Sequence, residues 1–179
     1  SVPIGSTAVF PDVPLGLAGD SGLTMHRGLL FTIIDARGSA LVNPLLLLPG
    51  LDDPVPPSID EIRLVSDGRS RQIRTGVEVE PGTYELHTLV ADRFWWNQSP
   101  PVMPYAVAAY LNGETVAEQQ MDRFAGTAGG DRPVFDRDGL LVLGRVTVGA
   151  GRNDLEVVVR DFAGTERVVR VELRGVARR

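Results

Sequence analysis

Leu155-Glu156-Val157-Val158-Val159-Arg160, then Asp161-Phe162-Ala163-Gly164, then Arg167-Val168-Val169-Arg170-Val171-Glu172-Leu173 is the stretch that decides the fold. Apolar residues recur at every second position on both sides of the middle segment: Leu155, Val157 and Val159 before it, Val169, Val171 and Leu173 after it. A period of two places these side chains on one face of a strand, and Asp-x-x-Gly supplies the chemistry of a tight turn. The two arms predict a hairpin with one buried face.

Working outward, the same rhythm repeats. Leu140 to Val148 is a further strand, and Tyr105 to Leu111 and Thr115 to Met121 flank Asn112-Gly113-Glu114. Asn-Gly tolerates the positive φ that a two-residue hairpin loop needs, so these two also pair. Glu80-Pro81-Gly82 introduces Thr83 to Val90, where Tyr84, Leu86 and Thr88 alternate with Glu85, His87 and Leu89. Ile59, Ile62, Leu64 and Val65 open the series, with a turn at Asp67-Gly68. About seven short strands with regular turns, and no helical periodicity of useful length, predict an all-β chain built on an antiparallel β-sandwich over residues 58–179.

Upstream, Asp52-Asp53-Pro54-Val55-Pro56-Pro57 reads as an extended linker over 52–57, because proline fixes its own φ and restricts the residue before it. Residues 1–51 are glycine-rich with brief apolar runs, which predicts turns and short strands. Leu29 to Asp35 is the best strand there, with Phe31, Ile33 and Ile34 suggesting burial on both faces. The longest apolar run, Leu45 to Leu48 between Pro44 and Pro49, is far too short to cross a bilayer and reads as a buried strand or turn.

The net charge of −5 argues against a nucleic-acid partner, which needs a basic footprint. All 18 basic residues are arginine, a pattern that codon usage explains. There is no cysteine, which excludes disulfides and thiolate chemistry. The chain opens at Ser1 without a methionine or a signal peptide, as a mature or cut product would.

Ala18-Gly19-Asp20-Ser21-Gly22, followed by Gly28-Leu29-Leu30-Phe31-Thr32-Ile33, resembles the end of a lysostaphin/LytM-type zinc metallopeptidase domain. In that family a Gly-Asn-Thr-Gly-like turn leads into a His-Leu-His-Phe-Glu-like strand. Gly19 and Gly22 fall on the turn glycines, and Leu29 and Phe31 on the apolar strand positions. Asp35-Ala36-Arg37-Gly38 and Val42-Asn43-Pro44-Leu45-Leu46 are similar to the charged turn and Asn-Pro-Leu-like element that follow. In one subgroup an Asp/Pro-rich joint and an immunoglobulin-like domain come next, as 52–57 and 58–179 do here. The Tyr105-to-Phe124 segment and the closing hairpin resemble that module too.

The resemblance implies a degenerate member. A catalytic zinc site takes three protein ligands and an open water position. The resembled enzymes draw two ligands from a His-x-x-x-Asp segment and the third from the second histidine of His-x-His. Here the two histidine positions hold Gly28 and Leu30, which cannot bind zinc, and no His-x-x-x-Asp is present. No catalytic residue, metal ligand or cofactor is therefore expected. The family's peptidase domain is also larger than residues 1–51, so either its earlier strands are expected upstream of Ser1 or an abbreviated remnant is expected to dock on the sandwich. The truncated sheet is expected to pair with such an N-terminal segment or with another chain.

His26 reads as a polar loop residue and His87 as a surface residue on the outward face of its strand. Asp20-Ser21 near His26 forms no oriented triad. Gly126-Thr127-Ala128-Gly129-Gly130 lacks the lysine of a phosphate loop and reads as a surface loop, while Asp60-Glu61 and the acids from Asp131 to Asp138 read as solvated surface. The candidate ligand contact is Arg93-Phe94-Trp95-Trp96: Trp95 and Trp96 can stack on sugar rings or anchor a protein, with Arg93 beside them, or else close the core.

Function is expected to be that of a non-catalytic metallopeptidase-like protein of a bacterial cell envelope, periplasmic or extracellular. It would bind or regulate peptidoglycan or a cell-wall hydrolase. Two alternatives stand beside it: an active zinc endopeptidase of peptidoglycan whose metal ligands lie outside this chain, and a structural or adhesive immunoglobulin-like module.

Overall fold

The computed structural model describes residues 33–35, 37, 40–47, 53–93, 102–125 and 134–177. Backbone contacts divide the chain into Ser1–Thr32 and Ile33–Arg179, and every described residue lies in the second unit. Among these residues the strands are β1 (Ile33–Asp35), β2 (Ala40–Val42), β3 (Ser58–Ser66), β4 (Arg69–Gln72), β5 (Val77–Val79), β6 (Gly82–Ala91) and β7 (Ala106–Leu111). They continue as β8 (Glu114–Gln120), β9 (Arg123–Ala125), β10 (Val134–Phe135), β11 (Leu141–Val148), β12 (Gly151–Arg160) and β13 (Glu166–Gly175).

The hairpin read from the closing sequence is β12–β13, in unbroken register from Gly151↔Gly175 to Arg160↔Glu166. Its inward residues are the alternating set: Leu155, Val157, Val159, Val171 and Leu173 are all buried. Asn112-Gly113 joins β7 to β8 with φ of 54° and 84°, and Asp67-Gly68 joins β3 to β4 with φ of 50° and 71°. Paired positive φ matches the right-handed strand twist, which is why these dipeptides set the hairpins.

Two five-stranded sheets, β10-β11-β6-β3-β4 and β5-β13-β12-β7-β8, pack face to face. Leu64, Leu86, Val146 and Val148 from the first meet Val107, Ala109, Leu155 and Val157 from the second in one core. In immunoglobulin terms β3, β6, β10 and β11 stand as A, B, D and E. On the facing sheet β7, β8, β12 and β13 stand as C, C′, F and G. Among the described residues all pairings are antiparallel except one: β5 runs parallel to β13. A bulge between Ile59 and Glu61 in β3 is held by the buried Thr88 hydroxyl, which donates to the Glu61 carbonyl at 2.9 Å.

Of the segment assigned by sequence to the first domain, the described residues 33–35, 37 and 40–47 belong to the same unit as the sandwich. β2 pairs with β1 on one side and with β9 on the other, matching Ala40↔Ala125 and Val42↔Arg123. Asn43 fastens the join. Its backbone N–H donates to Asp122 O at 2.8 Å, its Nδ2 donates to Met121 O at 2.7 Å, and its Oδ1 accepts from Leu45 N at 3.0 Å. The last bond caps a short 3₁₀ helix, Pro44–Leu46. The apolar run is thus a turn through Leu47, but Leu46 and Leu47 are exposed where burial was expected, and Leu48 lies outside the described residues. Replacing Asn43 with Ala is expected to cost about 1–2 kcal/mol locally. Amide exchange should rise at 40–47 and 121–125 while β12 and β13 stay protected; unchanged exchange at those residues would contradict it.

Candidate functional site

Three connections meet at the end of the sandwich where β6 and β12 finish. The β6–β7 connection opens at Asp92 and Arg93, and Asp92 and Val102 exchange backbone hydrogen bonds at 2.9 Å each way. The β12–β13 turn is closed by Asp161, whose N–H donates to Thr165 O at 3.0 Å and whose Oδ1 accepts from Thr165 N at 2.8 Å. The rings of Tyr105 and Phe162 tie the two connections together, edge to face with centroids 5.4 Å apart. The third is the β10–β11 turn, Asp136 to Leu140.

Arg93 is exposed and makes no ion pair among the described residues. Trp95 and Trp96 lie outside the described residues, as do Gly28, Leu30 and His26. Beside Arg93, Asp92 is only 5% exposed. Burial, then the charges of Asp53 and Asp161, push its carboxyl up to about 6 against the opposing hydrogen bond from Arg93 N.

His87 corrects its sequence reading. It does point to the outer face of its sheet, yet it is buried. The β10–β11 turn folds over it, and His87 Nδ1 meets Asp136 Oδ2 at 2.8 Å. Asp136 Oδ1 accepts from the N–H groups of Asp138 and Leu140, both at 2.9 Å, so one carboxylate shapes the turn and anchors it to β6. Burial pushes this carboxyl up, but the bonds from His87, Leu140 and Asp138 outweigh burial and hold it below the usual range. On the neighbouring strand Arg63 grips both oxygens of Glu61, at 2.7 and 3.1 Å, and donates to Asp138 Oδ2 at 2.6 Å. Glu61, Asp136 and Asp138, read as solvated surface, are therefore engaged in fixing this turn.

A histidine oriented by a carboxylate is half of a nucleophilic triad. Here its other nitrogen, Nε2, is buried without a hydrogen-bond partner and stands 3.5 Å from Glu85 Oε2, so no hydroxyl is poised against it. The geometry makes a clamp. Among the described residues no group of three His, Asp or Glu side chains could hold a metal ion, and no helix is long and apolar enough to cross a membrane.

A groove of about 580 Å³ lies on the outer face of the second sheet, beside Tyr110. Its charges are already paired: Arg170 with Glu156, and Arg152 with Asp154 at 3.0 Å and with Glu172 at 3.6 Å. It offers shape without convergent free polar groups.

The sequence picked out Arg93 but not Asp92 or Asp136, whose neighbours Asp53, His87 and Asp161 lie 39 to 69 residues away or whose partners belong to a turn that no local pattern announces. No curated protein and no solved structure matches the chain. A family model does match, over residues 56–174, from the Pro-rich approach through nearly all of β13, and the chain belongs to that uncharacterised family.

Proposed function

We propose that this chain is a non-catalytic immunoglobulin-like binding module of a bacterial cell envelope, and that it holds peptidoglycan through the loop end of its sandwich. The observation that carries the reading is Arg93. Its side chain is exposed just past the end of β6 and unpaired among the described residues, immediately ahead of Phe94-Trp95-Trp96 in the chain. Indole faces stack on sugar rings, and a guanidinium pairs bidentately with a carboxylate, so together they suit a polymer of amino sugars and acidic stem peptides. The resemblance of 19–33 to cell-wall peptidases supplies the compartment, and Gly28 and Leu30 supply the loss of chemistry.

The test is co-sedimentation of the whole chain with isolated peptidoglycan, beside a triple variant with Arg93, Trp95 and Trp96 all changed to Ala. Retention of the natural chain is expected, with at least about a tenfold loss in the variant, since a stacked aromatic or a paired Arg is each worth 1–3 kcal/mol or so. Equal sedimentation of the two, or capture only by a purified cell-wall hydrolase, overturns the reading. So does stoichiometric zinc in the purified chain, measured by elemental analysis.

A further inference from the structure

Three carboxylates reach the loop end from three separate stretches: Asp53 on the approach to β3, Asp92 after β6, and Asp161 after β12. Asp92 and Asp161 are 5% and 1% exposed. Each of the three has one oxygen satisfied by a nearby backbone N–H: Val55 for Asp53 at 3.1 Å, Arg93 for Asp92 at 2.8 Å, and Thr165 for Asp161 at 2.8 Å. The remaining oxygen of Asp161 is buried with no hydrogen-bond partner. Arg93, the cation adjoining in sequence, lends only its backbone N–H and holds its side chain in solvent.

A cluster of acceptors, two of them buried, with a single backbone donor each and no counter-charge among the described residues is unfavourable on two counts. Each ionised carboxylate has lost hydration, and like charges repel across a poorly screened space. One added proton answers both, because it cancels a charge and turns one acceptor into a donor. Asp92 is where it would sit, since it is buried and feels the charge of both others. Among the described residues the charged groups facing it are Asp53 from the approach segment and Asp161 from the β12–β13 turn, with Arg93 next to it in the chain.

We propose that the loop end is an acid-tightened clasp, in which a proton taken up by Asp92 in mildly acidic solution relieves the repulsion among Asp53, Asp92 and Asp161 and draws the approach segment and the β12–β13 turn against the end of β6. The clasp joins the two sheets, because Asp92 ends a strand of one and Asp161 ends a strand of the other. The direction follows from linkage. A carboxyl that holds its proton more tightly folded than unfolded stabilises the fold as pH falls through that window, and the contribution is lost as pH rises above about 6.

The test is amide exchange on the whole chain at pH 5 and pH 8, corrected for intrinsic rates, with Asp92→Asn alongside. Asn keeps the acceptor for Arg93 N and the shape, but carries no charge. In the natural chain, protection at Asp53, Val55 and 161–165 is expected to rise from pH 8 to pH 5 by up to about tenfold, the limit that a shift from 3.8 to about 6 sets over that range. In Asp92→Asn it is expected to be high at both pH values. Asp53→Asn, away from the buried pair, gives an independent check. It should move the midpoint of the Asp92 carboxyl ¹³C titration to lower pH without abolishing it. The same pH profile in the natural chain and Asp92→Asn, or an Asp92 titration midpoint in the ordinary carboxylate range, overturns the proposal.

Discussion

Changing Gly175 to Ala is expected to destabilise the sandwich by ~3–5 kcal/mol, the sum of overpacking against rigid backbone and of turn hydrogen bonds lost in relief. Gly175 ends β13 and is buried opposite Gly151. A Cβ placed there would stand 1.9 Å from the carbonyl oxygen of Gly149, 2.9 Å from its carbonyl carbon and 3.1 Å from Ala150 Cα. All three are backbone atoms, so no rotamer change relieves the clash. Nor is the turn free to withdraw. Asn153, 3% exposed, donates through Nδ2 to Gly149 O at 2.9 Å and Gly151 O at 3.1 Å, and accepts from Gly149 N at 3.0 Å. Moving Gly149 away breaks bonds that leave the Asn153 amide buried and unsatisfied. A domain holds only about 5–15 kcal/mol in total, so the loss is visible in any urea melt. Gly76→Ala is the control, with φ of 80° but nothing within 4 Å of the added carbon. It should cost ~1 kcal/mol from backbone strain alone. A Gly175→Ala midpoint no lower than that of the control would show that the turn yields without cost.

What was legible in the sequence was local. Asn112-Gly113 and Asp67-Gly68 carry their hairpins in their own backbone preferences. Leu155 to Leu173 shows its buried face because the pleat has a period of two and the core lies on one side only. β4 could not be read this way: all four of its residues, Arg69 to Gln72, are exposed, so an edge strand there has no apolar rhythm. β5 owes its place to a parallel pairing with residues 173–175, almost a hundred positions on. Asn43 stood out by the motif around it, yet its work is to fasten β2 to 121–122. His87 was placed on the correct face and given the wrong environment, since what covers it is a turn 49 residues away. Asp92 lies in the same blind spot, its charge neighbours coming from two distant stretches that no pattern links.

Asp136→Ala is expected to cost ~3–4 kcal/mol at neutral pH, because a side chain that accepts three hydrogen bonds is removed from a partly buried position. The largest part falls on His87. Its Nε2 already lacks a partner, and without Asp136 its Nδ1 lacks one as well, which leaves the whole imidazole buried and unsatisfied. The rest falls on the turn, where Asp138 N and Leu140 N lose their acceptor and the Arg63–Asp138 contact loses the geometry that presents it. Asp136→Asn keeps an oxygen for both N–H groups and should cost ~1 kcal/mol, which separates the turn's share from the charge's. The pH dependence carries a sign that a mere packing loss would not have. A carboxyl held below its ordinary value contributes stability above the ordinary carboxylate range and loses it as pH falls through the folded value. The gap between natural chain and Asp136→Ala in urea midpoints should therefore narrow from pH 7 to pH 3. Asp92 acts in the opposite sense, its burden greatest above about 6 and relieved by acid. Two carboxyls on neighbouring connections thus pull stability in opposite directions with pH, and Asp92→Asn with Asp136→Asn should make the melts flatter than either change alone. A gap for Asp136→Ala that stays constant from pH 7 to pH 3 would mean that the turn is held by packing and that the His87–Asp136 contact is incidental to it.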